Sequence, residues 1–263
     1  MKNINLLWGI LLSITYAFSE NYYKPTLQDT WQWQLKEEVV NTDYNASIYD
    51  IDLFNSSIEL ITSLKEKGKK VMCSFSAGSY EDWRDDIDKF HPEEIGNIMV
   101  GWHDEKWLDI RSENVKKIMK ARIDLAVEKG CNGLETDNMN GYLSENNTSF
   151  NFTAEDQLDY NRFLAKYAHE KGLFIALKND LNQIEILVDD FDLSINEECF
   201  QYDKCELLHP FIANNKPVFN AEYIYKTEDE RNQLCSESKI LGFYTLVLPL
   251  ALDDTFRFSC QKD

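Results

Sequence analysis

Apolar runs of strand length alternate along this chain with stretches in which apolar residues return every three or four positions. The strand-like runs are 31–35, 46–53, 70–77, 107–110, 133–137, 173–179, 193–197, 217–223 and 242–248. Continuous apolar runs of this length suit parallel strands buried on both faces. Between them, 57–67 carries Ile58, Ile61 and Leu64 at helical spacing and stops at Gly68. The stretch 112–129 carries Val115, Ile118, Met119, Arg122, Ile123, Ala126 and Val127 and stops at Gly130. The stretch 154–171 carries Leu158, Phe163, Leu164 and Tyr167 and stops at Gly172, with Thr153 and Asp156 spaced as a helix-capping start. Strands alternating with helices that end in glycine are the signature of βαβ units. The fold class is α/β, a single (β/α)8 TIM-type barrel. The runs number one more than a closed barrel needs. Either 107–110 is a loop or 242–248 is an extra strand.

The ends of these runs carry the chemistry. The run at 133–137 ends in Glu135-Thr136-Asp137-Asn138, and the run at 173–179 ends in Lys178-Asn179 before Asp180. The run at 193–197 leads into Asn196-Glu197-Glu198, the run at 217–223 into Glu222-Tyr223, and the second run holds Asp50 and Asp52. In a parallel barrel, catalytic side chains sit at the carboxyl ends of several strands. Converging acids there point to acid–base work, and glycosidases commonly use two carboxylates flanking the scissile bond. Asp137 is the leading candidate. Period-two alternation sends Glu135 and Asp137 to one side, and lets only one of Glu197 and Glu198 face the pocket. Trp31 and Trp33 share a face, as core or as a sugar platform. Lys178 either pairs with a carboxylate or snorkels to solvent. The segment 78–106 reads as a long loop on the carboxyl face, mixing Tyr80, Trp83 and Trp102 with Glu81 and Glu105. Such aromatics can stack on sugar rings.

A net charge of −19 argues against a nucleic-acid partner and suits either simple solubility or a cationic ligand. One lysine followed by an apolar stretch, then Ala17-Phe18-Ser19, reads as a secretory signal over 1–19, too short to span a membrane. The remaining 20–263 reads as one domain of a secreted, extracellular monomer without a membrane span. Sequons at Asn45, Asn55, Asn146, Asn147 and Asn151 agree with secretion. Six cysteines in such a chain suggest three disulfides. Cys199 and Cys205 can close a small loop, Cys73 and Cys131 can staple neighbouring strands, and Cys235 and Cys260 then tie down the C-terminus. No Cys-x-x-Cys or histidine pair stands at ligand spacing, so neither a metal nor another cofactor is expected.

These residues together resemble the secreted endo-α-1,4-polygalactosaminidase family, glycoside hydrolase family 114. The resemblance runs from Trp31-Gln32-Trp33-Gln34-Leu35 through Tyr49-Asp50-Ile51-Asp52, Ser76-Ala77-Gly78-Ser79, Trp107-Leu108-Asp109-Ile110-Arg111 and Glu135-Thr136-Asp137-Asn138. It continues through Leu177-Lys178-Asn179 and Asn196-Glu197-Glu198-Cys199-Phe200 to Phe219-Asn220-Ala221-Glu222-Tyr223. It implies a barrel that hydrolyses α-1,4 links in galactosamine-rich polysaccharide without a metal, with Asp137 and Glu197 at the positions of the family's proposed catalytic carboxylates. Thr136 stands where the family usually has Pro, and Asn140 where Asp is usual. Around the pair, Asp50, Asp52, Trp31, Trp33, Glu135, Asn138, Lys178, Glu222 and Tyr223 are the candidate substrate-binding residues. Two other readings are a non-catalytic carbohydrate-binding or wall-associated protein on the same barrel, and a hydrolase or deacetylase of another type.

Overall fold

In a computed structural model, the structure describes residues 22–36 and 39–261. The expected signal at 1–19 lies outside the described residues. The strands are β1 (Trp31–Gln34), β2 (Ile48–Asp52), β3 (Lys70–Ser76), β4 (Ser79–Glu81), β5 (Ile95–Met99), β6 (Trp102–Leu108), β7 (Gly133–Asp137), β8 (Phe174–Lys178), β9 (Leu193–Glu197), β10 (Val218–Glu222), β11 (Tyr244–Val247) and β12 (Phe258–Ser259). The longer helices are α1 (Ile58–Glu66), α2 (Glu113–Lys129) and α3 (Ala154–Glu170), with the short α4 (Ile184–Leu187) and α5 (His209–Ala213) before α6 (Glu228–Leu241).

One sheet has the order β1-β2-β3-β7-β8-β9-β10-β11-β12. All its ladders are parallel except the short β11–β12 pair. Eight parallel strands with helices outside them form the (β/α)8-type barrel. Its seam, between β1 and β11, is crossed by Trp31 Nε1 donating to the Tyr244 carbonyl at 3.2 Å. The Leu35 and Lys36 amides, donating to the Leu252 carbonyl, close the seam above it.

The surplus ninth run resolves differently from both alternatives. Residues 107–110 overlap the end of β6, which belongs to a separate three-stranded antiparallel sheet ordered β4-β6-β5. Gly101, at φ +89°, turns the chain between β5 and β6, so this segment pairs with itself and never joins the barrel. The run 242–248 supplies the eighth barrel strand, and the added strand is β12.

Strand alternation divides the core into two layers. Trp31, Trp33, Ile48, Phe174, Ile195 and Phe219 fill the barrel interior. Tyr49, Ile51, Val71, Leu134, Ile175 and Leu177 face outward against Ile61, Met119, Ile123 and Leu164 of the helices. A Cβ on Gly133 would lie 2.2 Å from the Phe174 ring, so a side chain there would drive the ring from the interior. The third helix starts at the capping signal the sequence carries, and the first two start behind serines. Ser57, Ser112 and Thr153 each accept a first-turn amide, and Thr153 and Asp156 form a capping box. All three expected disulfides are present: Cys73–Cys131, Cys199–Cys205 and Cys235–Cys260. No helix among the described residues is long and apolar enough to cross a membrane.

Candidate active site

Three strands end in a polar residue followed by one in the left-handed region. Asp137 ends β7 before Asn138 at φ +63°. Lys178 ends β8 before Asn179 at φ +53°. Glu197 ends β9 before Glu198 at φ +61°. Asn tolerates this conformation, whereas a Glu there is unusual. The turns aim the three side chains into the barrel mouth.

Lys178 Nζ is the hub. It lies 2.9 Å from Glu135 Oε1, 3.2 Å from Asp137 Oδ1 and 3.1 Å from Glu197 Oε2. The lysine side chain is 2% exposed and that of Glu135 0%, whereas Asp137 and Glu197 are 36% and 25% exposed. The buried pair therefore forms a floor, and the two reachable carboxylates form the working surface. Trp33 packs under the ammonium at 4.8 Å from its ring centroid and donates Nε1–H to Glu135 Oε2 at 3.2 Å. Tyr223 donates its hydroxyl to Glu197 Oε1, and Asn179 Nδ2 donates to Glu197 Oε2 at 3.3 Å. Asn179 Oδ1 also accepts the Glu197 amide at 3.0 Å and Asn196 Nδ2 at 3.1 Å, tying β8 to β9.

This environment separates the two carboxylates. Burial pushes both toward the neutral form. At Asp137 burial and the negative charges of Glu135 and Glu197 prevail over Lys178, and its pKa is raised. At Glu197 burial is outweighed by Lys178 and by the hydrogen bonds from Tyr223 and Asn179, and its pKa is lowered. Protons on such close acids belong to the pair rather than to either residue. The two environments pull the pair apart, Asp137 toward the acid and Glu197 toward the carboxylate, the division of roles that acid and carboxylate chemistry needs.

Not every sequence candidate joins this surface. Trp31 is 0% exposed in the barrel interior, stacked on Phe219 at 5.1 Å, so it is core and not a sugar platform. Trp33 is equally covered and acts from beneath. Asp52 turns away to Arg84, with Nη2 2.8 Å from Oδ2, and caps the Phe54 and Asn55 amides. Glu222 misses the pocket because alternation points its neighbour Ala221 inward and Glu222 outward. There it accepts the Phe200 amide at 2.9 Å, bracing the Cys199–Cys205 loop, and burial raises its pKa to about 7. Asp50 is fully buried beneath Glu135. Asn138 stands at the rim, its Nδ2 donating to Ser76 Oγ at 2.9 Å while its own amide donates to Asp137 Oδ1 at 2.7 Å. Glu81 is also interior, bound to Arg84 at 2.7 Å and to Arg122 at 3.5 Å.

Two residues of this region were named in the sequence only as parts of a segment, with no role of their own. Glu105, on β6, comes back over the mouth through the β5–β6 hairpin. It accepts Ser79 Oγ at 2.5 Å and lies 3.4 Å from Asn138 Nδ2. It remains partly exposed. Burial, followed by the charges of Glu81 and Asp137, raises its pKa to about 7 against the hydrogen bond from Ser79. Asn179 was read only as a strand-end residue, because an amide there resembles any turn residue. A cavity of about 190 Å³ opens beside Gln34, Asp52 and Ser57, and none of its lining residues belongs to the carboxylate cluster.

The sequence model of glycoside-hydrolase family GH114 matches residues 14–263. The crystal structure of Aspergillus fumigatus Ega3 in complex with galactosamine is 36% identical, with a TM-score of 0.86, over 91% of this chain and 100% of that one. The glycoside hydrolase domain of PelA from Pseudomonas aeruginosa is 14% identical, with a TM-score of 0.64, over 86% of this chain and 96% of that one. The α-galactosidase TtGalA from Thermus thermophilus is 12% identical, with a TM-score of 0.58, over 85% of this chain and 58% of that one. The last two show the fold alone. No curated protein matches the chain. With the family match spanning nearly the whole sequence and the fold shared throughout, the chain belongs to glycoside-hydrolase family GH114.

Proposed function

We propose that this glycosidase is a secreted, endo-acting enzyme that cleaves α-1,4-linked galactosamine-rich polysaccharide with Asp137 and Glu197 as its carboxylate pair. The observation that carries the reading is the shared contact of both acids with Lys178 Nζ, at 3.2 and 3.1 Å. Those two oxygens are then at most about 6.3 Å apart, the sum of the two distances. Retaining glycosidases hold their carboxyl groups about 5–5.5 Å apart and inverting ones about 6.5–9.5 Å. The bound favours retention. One acid protonates the departing glycosidic oxygen while the other carboxylate bonds to the anomeric carbon. Water, deprotonated by the first residue, then releases the sugar. Positive charge that develops on the ring in the transition state meets a cluster with more carboxylates than cations.

The galactosamine held in the structure of Ega3, 36% identical to this chain, supports the sugar assignment. Glu105 supplies a local reason for an ammonium group, being a partly exposed acid close enough to Asp137 to feel its charge. Three disulfides fit an oxidising compartment, which supports secretion.

Purified protein incubated with α-1,4-galactosamine polymer is expected to yield shorter oligosaccharides. Asp137→Asn and Glu197→Gln are each expected to lower kcat by about 10³-fold or more, because each removes a group that reacts only in the transition state. Near-normal turnover in a folded amide variant removes that residue from the mechanism. Release of product with inverted anomeric configuration contradicts the retaining assignment.

A further inference from the structure

One lysine faces more carboxyl groups than it can neutralise. Around Lys178 stand Glu135, Asp137 and Glu197 in direct contact, with Asp50 behind Glu135. Asp137 and Glu197 reach solvent. Asp50 and Glu135 do not, both being 0% exposed. Neither Asp50 oxygen meets a hydrogen-bond donor, whereas Glu135 holds Lys178 Nζ on one oxygen and Trp33 Nε1 on the other. Both oxygens of a buried carboxyl beside Glu135 are thus without donors. An ionised, unpaired buried carboxylate costs several kcal/mol, and such a group takes up a proton instead.

We propose that Asp50 is a permanently protonated carboxylic acid that donates its O–H to Glu135 and so fixes the charge state of the catalytic cluster. A single proton on Asp50 supplies the missing donor and removes the repulsion between the two buried groups. Asp50 lies within hydrogen-bond reach of Glu135. The proton belongs on Asp50 because Glu135 already holds the Lys178 ammonium and the Trp33 N–H, both of which favour its charge. The groups facing Asp50 are Glu135, Lys178 and Asp137. Burial, then Glu135, hold its pKa well above the ordinary range against the pull of Lys178.

The consequence is a charge balance. With Asp50 neutral, Glu135 cancels Lys178, and the Asp137–Glu197 pair is left free to share one negative charge and one proton. An ionised Asp50 would add a second buried charge and drive the pair toward double protonation, removing the carboxylate that the reaction needs. Asp50 is therefore a positioning residue, acting through Glu135 and Lys178 without touching substrate. This role rests on Asp137 and Glu197 being the reacting pair, but the protonation state does not.

Infrared spectroscopy of protein carrying ¹³C-labelled aspartate carboxyls tests the proton directly. Measured about a pH unit above the value of about 8 to which burial raises the Asp180 pKa, the wild type should retain an aspartic-acid C=O band that Asp50→Asn lacks. An amide has the shape of the acid and also donates. Asp50→Asn is therefore expected to keep kcat at least about tenfold above Asp50→Leu, which leaves Glu135 without its donor. Asp50→Leu should also move the acidic limb of the kcat profile, a readout that simple packing loss does not shift. Absence of the labelled acid band in the wild type overturns the proposal even where a variant fails to fold. So does an Asp50→Asn enzyme as impaired as Asp50→Leu. If the band is present but neither Asp137→Asn nor Glu197→Gln affects turnover, the proton assignment stands and the choice of reacting pair falls.

Discussion

Replacing Lys178 with Met keeps the length of the side chain and removes its charge. In the wild type, each carboxylate contact near 3 Å corresponds to about 5 kcal/mol of gross Coulomb attraction at an effective dielectric of about 20. Burying the ammonium offsets much of this, so the net worth of the lysine is far smaller than the sum of its contacts. The loss is still severe, because Met leaves Glu135 charged, 0% exposed and without its counter-charge. Removing one partner of a buried pair costs about 3–5 kcal/mol, unless the stranded group takes a proton. Protonation of Glu135 therefore limits the stability loss, while activity bears the change. Lys178 opposes the rise at Asp137 and is the largest influence holding Glu197 low. Without it both pKa values move up, and the acidic limb of the pH–rate profile shifts to higher pH. Loss of one such preorganised charge is expected to lower kcat by about 10²–10³-fold near the wild-type optimum. The assay is kcat against pH on galactosamine polymer, with circular dichroism establishing the fold. Lys178→Arg is not expected to rescue, since a planar guanidinium cannot converge on three oxygens as an ammonium does. A folded Lys178→Met enzyme with the wild-type pH profile would refute the hub.

Three further outcomes follow from the surroundings. Asp180, whose pKa burial raises to about 8, binds its proton more tightly folded than unfolded, so its contribution is complete at low pH and is lost as pH rises toward 8. Tm should therefore fall between about pH 5 and 8, and Asp180→Asn should flatten that decline, measured by calorimetry across the range. A Cβ on Gly78 would lie 1.8 Å from the Asn138 carbonyl. Gly78→Ala should displace the Asp137 turn and reduce kcat in a protein that still folds; wild-type kinetics would show that the turn tolerates the shift. Glu105→Gln should raise KM for deacetylated polymer several-fold and abolish much of its salt dependence, with little change for fully acetylated polymer.

The barrel was legible because its signals are local and repeated. Continuous apolar runs, helical spacing, the Thr153 capping start and glycine stops placed α1, α2, α3 and the barrel strands within a few residues. The antiparallel excursion was not legible, because β4 is very short, β5 pairs with a shifted register and β6 is mostly polar, while Trp107 and Leu108 resemble any apolar run. The cluster itself was half legible. Alternation placed Glu135 and Asp137 on one side, and it would equally have turned Glu222 outward had Ala221 been read as the inward residue. Asp50 and Asp52 look alike in sequence. Only the tertiary arrangement gives one a lysine-centred network and the other Arg84. Distances between strand ends are equally absent from a sequence, so carboxylate separation had to wait for the structure.

The net charge of −19 deserves less weight than the sequence gives it. Several acids expected to line a groove are internal. Asp52 and Glu81 are neutralised by Arg84, Asp86 and Glu81 by Arg122, and Asp50 is sealed beneath Glu135. None of these can meet an ammonium group on a sugar. Glu105 is differently placed, being partly open and held by Ser79 and Asn138. With a resting pKa of about 7, its charge is incomplete at neutral pH. A bound ammonium would stabilise the carboxylate and pull that value down. Binding should therefore release protons in neutral buffer, and the release should vanish with Glu105→Gln or with acetylated ligand. Calorimetric titration in buffers of different ionisation enthalpy measures that release. The same proton count from wild type and Glu105→Gln would assign the recognition of cationic sugar elsewhere and leave the surface acidity as a solubility feature.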